Sequence, residues 1–238
     1  MENKYMKTTD IESVRETVLA FLYLDIEETD FSPIVVMHPI FESAFVYLPE
    51  SDRMCNVLED TDGYNEIMQL YRNRIEKAKT AFELYRFMRK SYRLTFLKFT
   101  EKYLSIEDLS KLLADAWITS ENPNQDANVS VTKLAKMFRK CDKKLLMEDD
   151  EYEVYEHLPE EFTVYRGVSV NRNSHGMSWT KNLKTAEWFA HRFDCDGKVG
   201  YIQKATARKK DVLAYFNGRN EDEIVISTND LSNICVME

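Results

Sequence analysis

The chain has 238 residues, of which 31% are charged and 44% hydrophobic, with a formal net charge of −9. That hydrophobic fraction fills one large core or two small ones and excludes global disorder. Six glycines and five prolines are too few for a many-turned all-β sandwich, a collagen-like chain or a long flexible linker.

In chain order, Thr9 and Glu12 form a capping-box pattern ahead of apolar Ile11, Val14, Val18, Phe21 and Leu22. Pro33, Pro39 and Pro49 cut the next stretch, FSPIVVMHPIFESAFVYLP, into short extended pieces. Tyr64, Met68, Tyr71, Ile75, Ala78, Phe82 and Tyr85 then step by fours and threes, which predicts one face of a long helix. Ser105 and Asp108 cap the following helix, whose inward residues are Ile106, Leu109, Leu112, Leu113 and Ala116. Trp117 near its end reads as a core residue. The polar stretch TSENPNQDAN, residues 119–128, is the clearest loop, and nothing in the sequence itself places its Glu121 or Asn122 at a site. A last helix is predicted over 131–147, closed by the acidic group Glu148, Asp149, Asp150 and Glu151.

After about residue 160 the texture changes to short β-rich runs: FTVYRGVSV, MSWT, VGYIQKATA, DVLAYF, DEIVIS and NICVM. One helix interrupts them, with Thr185 near its start and Ala186, Trp188, Phe189 and Ala190 within it. The expected architecture is α+β, with a mainly helical domain over 1–150 and a sheet domain over 151–238. A sheet domain so small is expected to pack against the helical part for stability.

No apolar run approaches the roughly 20 residues needed to cross a bilayer, and MENKYMKTTDIESVRE lacks a basic region followed by an apolar one. A cytoplasmic protein without membrane contact is the expectation. Cys55, Cys141, Cys195 and Cys235 form no CxxC pair, and none of the four histidines stands at HxxxH spacing. Reduced thiols and no metal site follow.

From Arg72 to Lys98 the chain carries nine Lys/Arg against Glu76 and Glu83, a net of +7. Phe87, Tyr92 and Phe96 are interleaved with them. A second basic group, Lys133, Lys136, Arg139, Lys140, Lys143 and Lys144, falls on the predicted last helix. Such a pattern can form a surface for nucleic acid or an acidic protein, but the favoured reading is a solvated helix face that offsets acidic neighbours.

Three motifs in the last third stand in a fixed order. Tyr165-Arg166-Gly167 lies in a predicted strand. Ser178-Trp179-Thr180 lies in a strand that leads into the helix of Trp188 and Phe189. Glu221-Asp222-Glu223 precedes the apolar run Ile224-Val225-Ile226. Each alone also fits an ordinary strand or turn. Together, Arg, then Ser-x-Thr, then Glu-x-Glu resembles the active-site framework of the arginine–serine–glutamate class of mono-ADP-ribosyltransferases, which includes clostridial binary toxins and phage-encoded modifying enzymes. The resemblance covers residues 160–238.

The resemblance implies a C-terminal fold of two packed, mostly antiparallel sheets with an NAD cleft between them. It implies that NAD is consumed as cosubstrate, that no metal is needed, and that ADP-ribose passes to a protein partner. Arg166 would offer its guanidinium fork to the pyrophosphate or adjoining ribose, and Gly167 would let the nicotinamide ring approach the backbone. Ser178 would orient the catalytic glutamate and Thr180 would support the same strand. Glu223 would accept a hydrogen bond from the ribose 2′-hydroxyl and stabilise the developing positive charge. Glu221, on the same face of an extended chain, would orient the acceptor and help remove its proton.

Two glutamates at this spacing imply an arginine acceptor. Trp179 stands where the family commonly has Thr, and Thr180 where it has Ser. His175-Gly176 resembles the His-Gly of the diphtheria-toxin-like class but lies outside the first strand, and it reads as a loop. The setting implied is an intracellular, phage- or mobile-element-encoded modifier acting in a host cytoplasm. Two alternatives stay open. One is an NAD glycohydrolase or nucleic-acid ADP-ribosyltransferase. The other is a non-catalytic binding module that works through the basic helical domain.

Overall fold

A computed structural model describes residues 8–237. The protein is α+β, with a helix-rich N-terminal region and a six-stranded antiparallel sheet in its C-terminal part. It divides into two compact units, one ending at Leu112 and the other beginning at Leu113. The strands of the large sheet begin only at Glu161, so the compact division precedes both the expected boundary at 150/151 and the change in texture after about residue 160. No helix among the described residues is long and apolar enough to cross a membrane. No group of metal-binding side chains occurs among them either.

The first unit contains α1 (Ile11–Leu22), β1 (Glu27–Thr29), β2 (Ser32–Met37), β3 (Phe45–Leu48) and β4 (Arg53–Asn56). Then come α2 (Thr61–Lys77), α3 (Ala81–Tyr85), α4 (Arg93–Thr100) and the start of α5 (Ile106–Thr119), which carries the chain into the second unit. The proline-cut stretch forms parts of two small hairpins, β1–β2 and β3–β4. Asp10, rather than Thr9, caps α1 by accepting the Ser13 N–H at 3.1 Å. Thr9 instead accepts the Ser105 N–H at 2.8 Å and donates to Asp108, so it serves the start of α5.

The expected long helix is broken. Ala78 is extended, with ψ 135°, and the Thr80 hydroxyl accepts the Glu83 N–H to start α3. The stripe therefore loses its phase: Met68, Ile75 and Tyr85 are buried, whereas Phe82 is 52% exposed. The basic stretch is not a single face. Arg72 pairs with Glu76, Arg89 donates to the Val36 and Phe41 carbonyls, and Phe96 is wholly buried.

The second unit continues with α6 (Val131–Phe138), α7 (Lys143–Leu146) and α8 (Asp149–Glu156). The single helix expected over 131–147 is split because Asp142 accepts the Lys144 N–H at 2.8 Å and starts a new turn. The acidic group opens α8 rather than closing a helix. The Glu151 carboxylate accepts the Glu148 N–H at 3.2 Å, and acidic side chains at a helix start complement its dipole.

Next come β5 (Glu161–Val168), β6 (Ser178–Thr180), α9 (Leu183–His191), β7 (Tyr201–Arg208), β8 (Ala214–Phe216), β9 (Glu223–Val225) and β10 (Ser232–Val236). The strand order is β10-β7-β5-β6-β9-β8, antiparallel throughout. The two sheets expected are here one sheet. Its three-stranded halves join at the single pair Tyr165↔Thr180, whereas β5 and β7 pair from Glu161↔Arg208 to Val168↔Tyr201. Val164, Trp179, Ala205, Ala207, Ile224, Val225 and Ile226 are buried along these strands. Asn182 caps α9 by accepting the Lys184 and Thr185 N–H groups, so only two residues separate β6 from the helix.

Candidate active site

Three neighbouring strands bring the three motifs together. Arg166 stands on β5, Ser178 on β6 and Glu223 at the start of β9. Arg166, Gly167, Ser178, Thr180, Glu221 and Glu223 all line one cleft of about 100 Å³. Residues 120–124 of the polar loop line it too, Glu121 and Asn122 among them.

Glu223 is 7% exposed. Burial pushes its pKa above the ordinary glutamate value, against hydrogen bonds from Ser178 and Trp117 that favour the anion. The Trp117 indole N–H donates to Glu223 Oε1 at 3.1 Å. Ser178 Oγ in turn accepts from Asn124 Nδ2 at 2.8 Å. Asn124 Oδ1 accepts the Met177 N–H at 2.6 Å, which fixes the amide so that its NH₂ faces Ser178. The result is a directed relay, amide to hydroxyl to carboxylate, that leaves the Ser178 proton for Glu223.

Arg166 is 8% exposed. Its Nη1 donates to the Ser178 carbonyl at 2.6 Å and its Nη2 to the Asn173 carbonyl at 2.9 Å. Burial lowers its pKa to about 10, and attraction to Glu223 opposes the shift. It stays charged at neutral pH. The guanidinium is thus committed to the backbone on either side of the serine strand, with Nε buried and lacking a partner. Asn173 closes the network by donating from Nδ2 to the Asn124 carbonyl at 3.0 Å. A Cβ on Gly176 would overlap the Arg166 guanidinium, so glycine there makes room for the arginine.

Gly167 has a structural reason of its own. A Cβ at that position would overlap the Ala186 carbonyl and Ala190 nitrogen of α9, so glycine lets the helix lie against β5. Thr180 Oγ1 donates to the Glu221 carbonyl at 2.9 Å and accepts the Asn182 N–H at 3.0 Å. It ties the Glu221 turn to the start of α9.

Glu221 is not on an extended face with Glu223. Asp222 between them has φ +49° and Asn220 before them φ +58°, and β9 starts only at Glu223. The two carboxylates converge on the cleft through a braced turn. Tyr215 Oη donates to Asp222 at 2.7 Å, the Asp222 N–H to Asn217 Oδ1 at 3.1 Å, and the Asn217 N–H to Glu151 at 2.6 Å. Arg219 Nη2 lies 3.1 Å from Glu221 Oε2.

Four functional candidates had no sequence signal strong enough to name them. Asn124 sits in a polar loop whose sequence does not mark which side chain turns inward, and Trp117 reads as core, which it also is, packing edge-on to Phe138. Arg172 and Arg192 at the cleft are ordinary surface arginines by sequence. Burial, helped by repulsion from Arg172, lowers the Arg192 pKa. The cleft thus brings the Glu221 and Glu223 carboxylates together with the guanidinium groups of Arg166, Arg172, Arg192 and Arg219. No protein-family model, curated protein or solved structure matches the chain.

Proposed function

We propose that the protein is an NAD-dependent mono-ADP-ribosyltransferase that moves ADP-ribose to an arginine of a protein partner and releases nicotinamide. The observation that carries this reading is the Asn124–Ser178–Glu223 relay in the same cleft as Arg166. The resemblance asks for Arg, Ser and Glu in one site, and the meeting of Arg166, Ser178 and Glu223 in one cleft supports it.

A volume of about 100 Å³ is of the order that takes one aromatic ring. It suits the nicotinamide end, with the rest of NAD along the open mouth. Arg172 and Arg192 in the cleft lining supply the charge that two phosphates require. Arg166 serves chiefly to fix the β5–β6 junction and to set a positive field near Glu223. Its remaining N–H groups are the ones left for a ribose or phosphate oxygen.

Glu223, held by Ser178 and Trp117, accepts from the ribose 2′-hydroxyl and stabilises positive charge at C1′ as nicotinamide leaves. It does so without reorganising, because both partners already point at it. Glu221 receives the acceptor guanidinium and takes a proton as the new C–N bond forms. Binding of one guanidinium by Glu221, seen with Arg219, supports an arginine acceptor.

Incubation with NAD labelled in the adenylate, in the presence of a cell lysate, tests the reading. Label in protein that is stable to treatments cleaving ester linkages, and lost with Glu221→Gln, is expected. Label in nucleic acid would replace the acceptor assignment. Free ADP-ribose alone would make the protein a glycohydrolase.

A further inference from the structure

The first unit has a concave site of its own. A groove of about 540 Å³ is lined by Arg74, Arg86, Arg89, Lys90 and Arg93 against the single carboxylate of Glu42. So many cations together stand out in a chain whose net charge is −9. Arg89 is held in place: its Nη1 donates to the Val36 and Phe41 carbonyls at 2.9 and 3.1 Å, and its Nε lies 3.4 Å from Glu42 Oε1. Glu42 is thereby engaged by Arg89. Arg74 and Arg86 are exposed, and among the described residues neither forms an ion pair. Arg74 is in the last turn of α2 and Arg86 caps the end of α3, so the helix break at Ala78 lets two helices present arginines to one groove.

The groove also carries aromatic rings. Tyr71 packs edge-on to Phe41 and Phe87, with centroids 5.0 and 6.2 Å away, and all three line the groove together with Phe45. Phe45 opens β3 and is 44% exposed, and Tyr47, two residues on, is 52% exposed. Alternate residues of a strand share one face, about 6.8 Å apart. Leu48 and Cys55 are buried on the opposite face of the β3–β4 hairpin, whereas Met54, paired with Tyr47, is exposed on the same face as the two rings. The Tyr47 hydroxyl donates to Asp52 at 2.6 Å, which fixes that ring at the hairpin.

We infer that this groove and the exposed face of the β3–β4 hairpin bind a single-stranded nucleic acid, with phosphates against Arg74, Arg86 and Lys90 and bases on Phe45 and Tyr47. Guanidinium forks match phosphate oxygens. A cationic groove beside rings spaced along a strand tracks an unpaired backbone and stacks its bases without reading their order. An acidic peptide would use the cations and leave the rings without a role. A duplex keeps its base faces inside and has none to offer them. The acidic remainder of the chain repels a polyanion, which confines binding to a short stretch at this groove. The site uses residues of the first unit only and stands apart from the transferase reading.

The test measures fluorescence anisotropy of a labelled oligothymidylate about 12 nucleotides long with the full chain, over a range of salt concentrations. The variants are Arg74→Ala with Arg86→Ala, Phe45→Ala, Tyr47→Ala, and the charge-matched control Lys136→Ala with Lys184→Ala, whose lysines are exposed in the second unit. Circular dichroism confirms that each is folded. The native chain is expected to bind. The arginine pair should lower the slope of log affinity against log salt by about 1.4, since each phosphate contact on a single strand contributes about 0.7. Phe45→Ala and Tyr47→Ala should each weaken binding by about 5- to 150-fold, the range for losing one stacked base, and leave the slope unchanged. The control should bind as the native chain does. No binding by the native chain, or equal losses in the control and the arginine pair, would overturn the inference. Displacement of the probe by polyglutamate as readily as by unlabelled oligothymidylate would give the groove to an acidic protein instead. Equal affinity for a duplex of the same length would show that the rings stack no bases, and would overturn it as well.

Discussion

Trp117 donates its indole N–H to Glu223 at 3.1 Å across 106 residues of chain. A core tryptophan thus acts, beside burial and Ser178, on the ionisation of the residue on which the proposed chemistry turns. The hydrogen bond favours the carboxylate, and burial opposes it. Trp117→Phe keeps a ring against Phe138 and removes only the donor. Glu223 should then be harder to ionise, and the acidic limb of the pH–rate profile should move up by about one pH unit, since a hydrogen bond to a charged group contributes about 1.5 kcal/mol. An unmoved limb would mean that the indole is only packing.

Asn124 acts on Glu223 through Ser178. Asn124→Ala should lower kcat for nicotinamide release by about 10- to 100-fold, the range seen when second partners of a functional side chain are removed, with a smaller effect on KM. Ser178→Ala should do the same, and the double variant should be no worse than the worse single one, because both cut one relay. Additive losses would separate the two residues.

Gly176 is the space in which Arg166 sits. Gly176→Ala should displace the guanidinium from the Ser178 and Asn173 carbonyls and cost about 1–3 kcal/mol of stability. Gly218→Ala is the control, since a Cβ there meets nothing within 4 Å and should change stability by less than about 0.5 kcal/mol. Urea unfolding of both variants checks this.

Burial raises the Glu223 pKa in the fold, so the folded protein holds that proton more tightly than the unfolded chain does. The stability this contributes is fully present below the ordinary glutamate pKa. It is lost as pH rises through the higher folded value. At neutral pH, Glu223→Gln should therefore raise stability by about 0.5–2 kcal/mol while abolishing activity, the trade typical of a strained functional group. The gain should shrink as pH falls. Thermal unfolding at pH 4 and pH 7 measures both.

All six strands of the large sheet and α9 were legible as apolar runs because each is bounded by polar or glycine-containing turns. Arg166, Ser178 and Glu223 were legible as a set only through their order, and their strands are indeed neighbours. The breaks in the helices were missed for a local reason. Thr80 and Asp142 are capping residues inside otherwise helical periodicity, and periodicity is insensitive to a single cap. Asn124 and Trp117 were missed for a nonlocal one. Their partners lie 54 and 106 residues away, and nothing in a polar loop or an apolar helix marks which side chain will meet a distant strand. Glu221 and Glu223 were expected on one extended face. The positive φ of Asp222, tolerated by a short polar side chain that Tyr215 also grips, replaced that with a turn.

The most direct measurement is nicotinamide release from NAD by the purified native protein and by Glu223→Gln, each confirmed as folded. Release by the native protein that falls on the order of 100-fold or more in the variant is the predicted result. Release that is absent in both, or equal in both, would contradict the assignment of Glu223 and of the cleft around it.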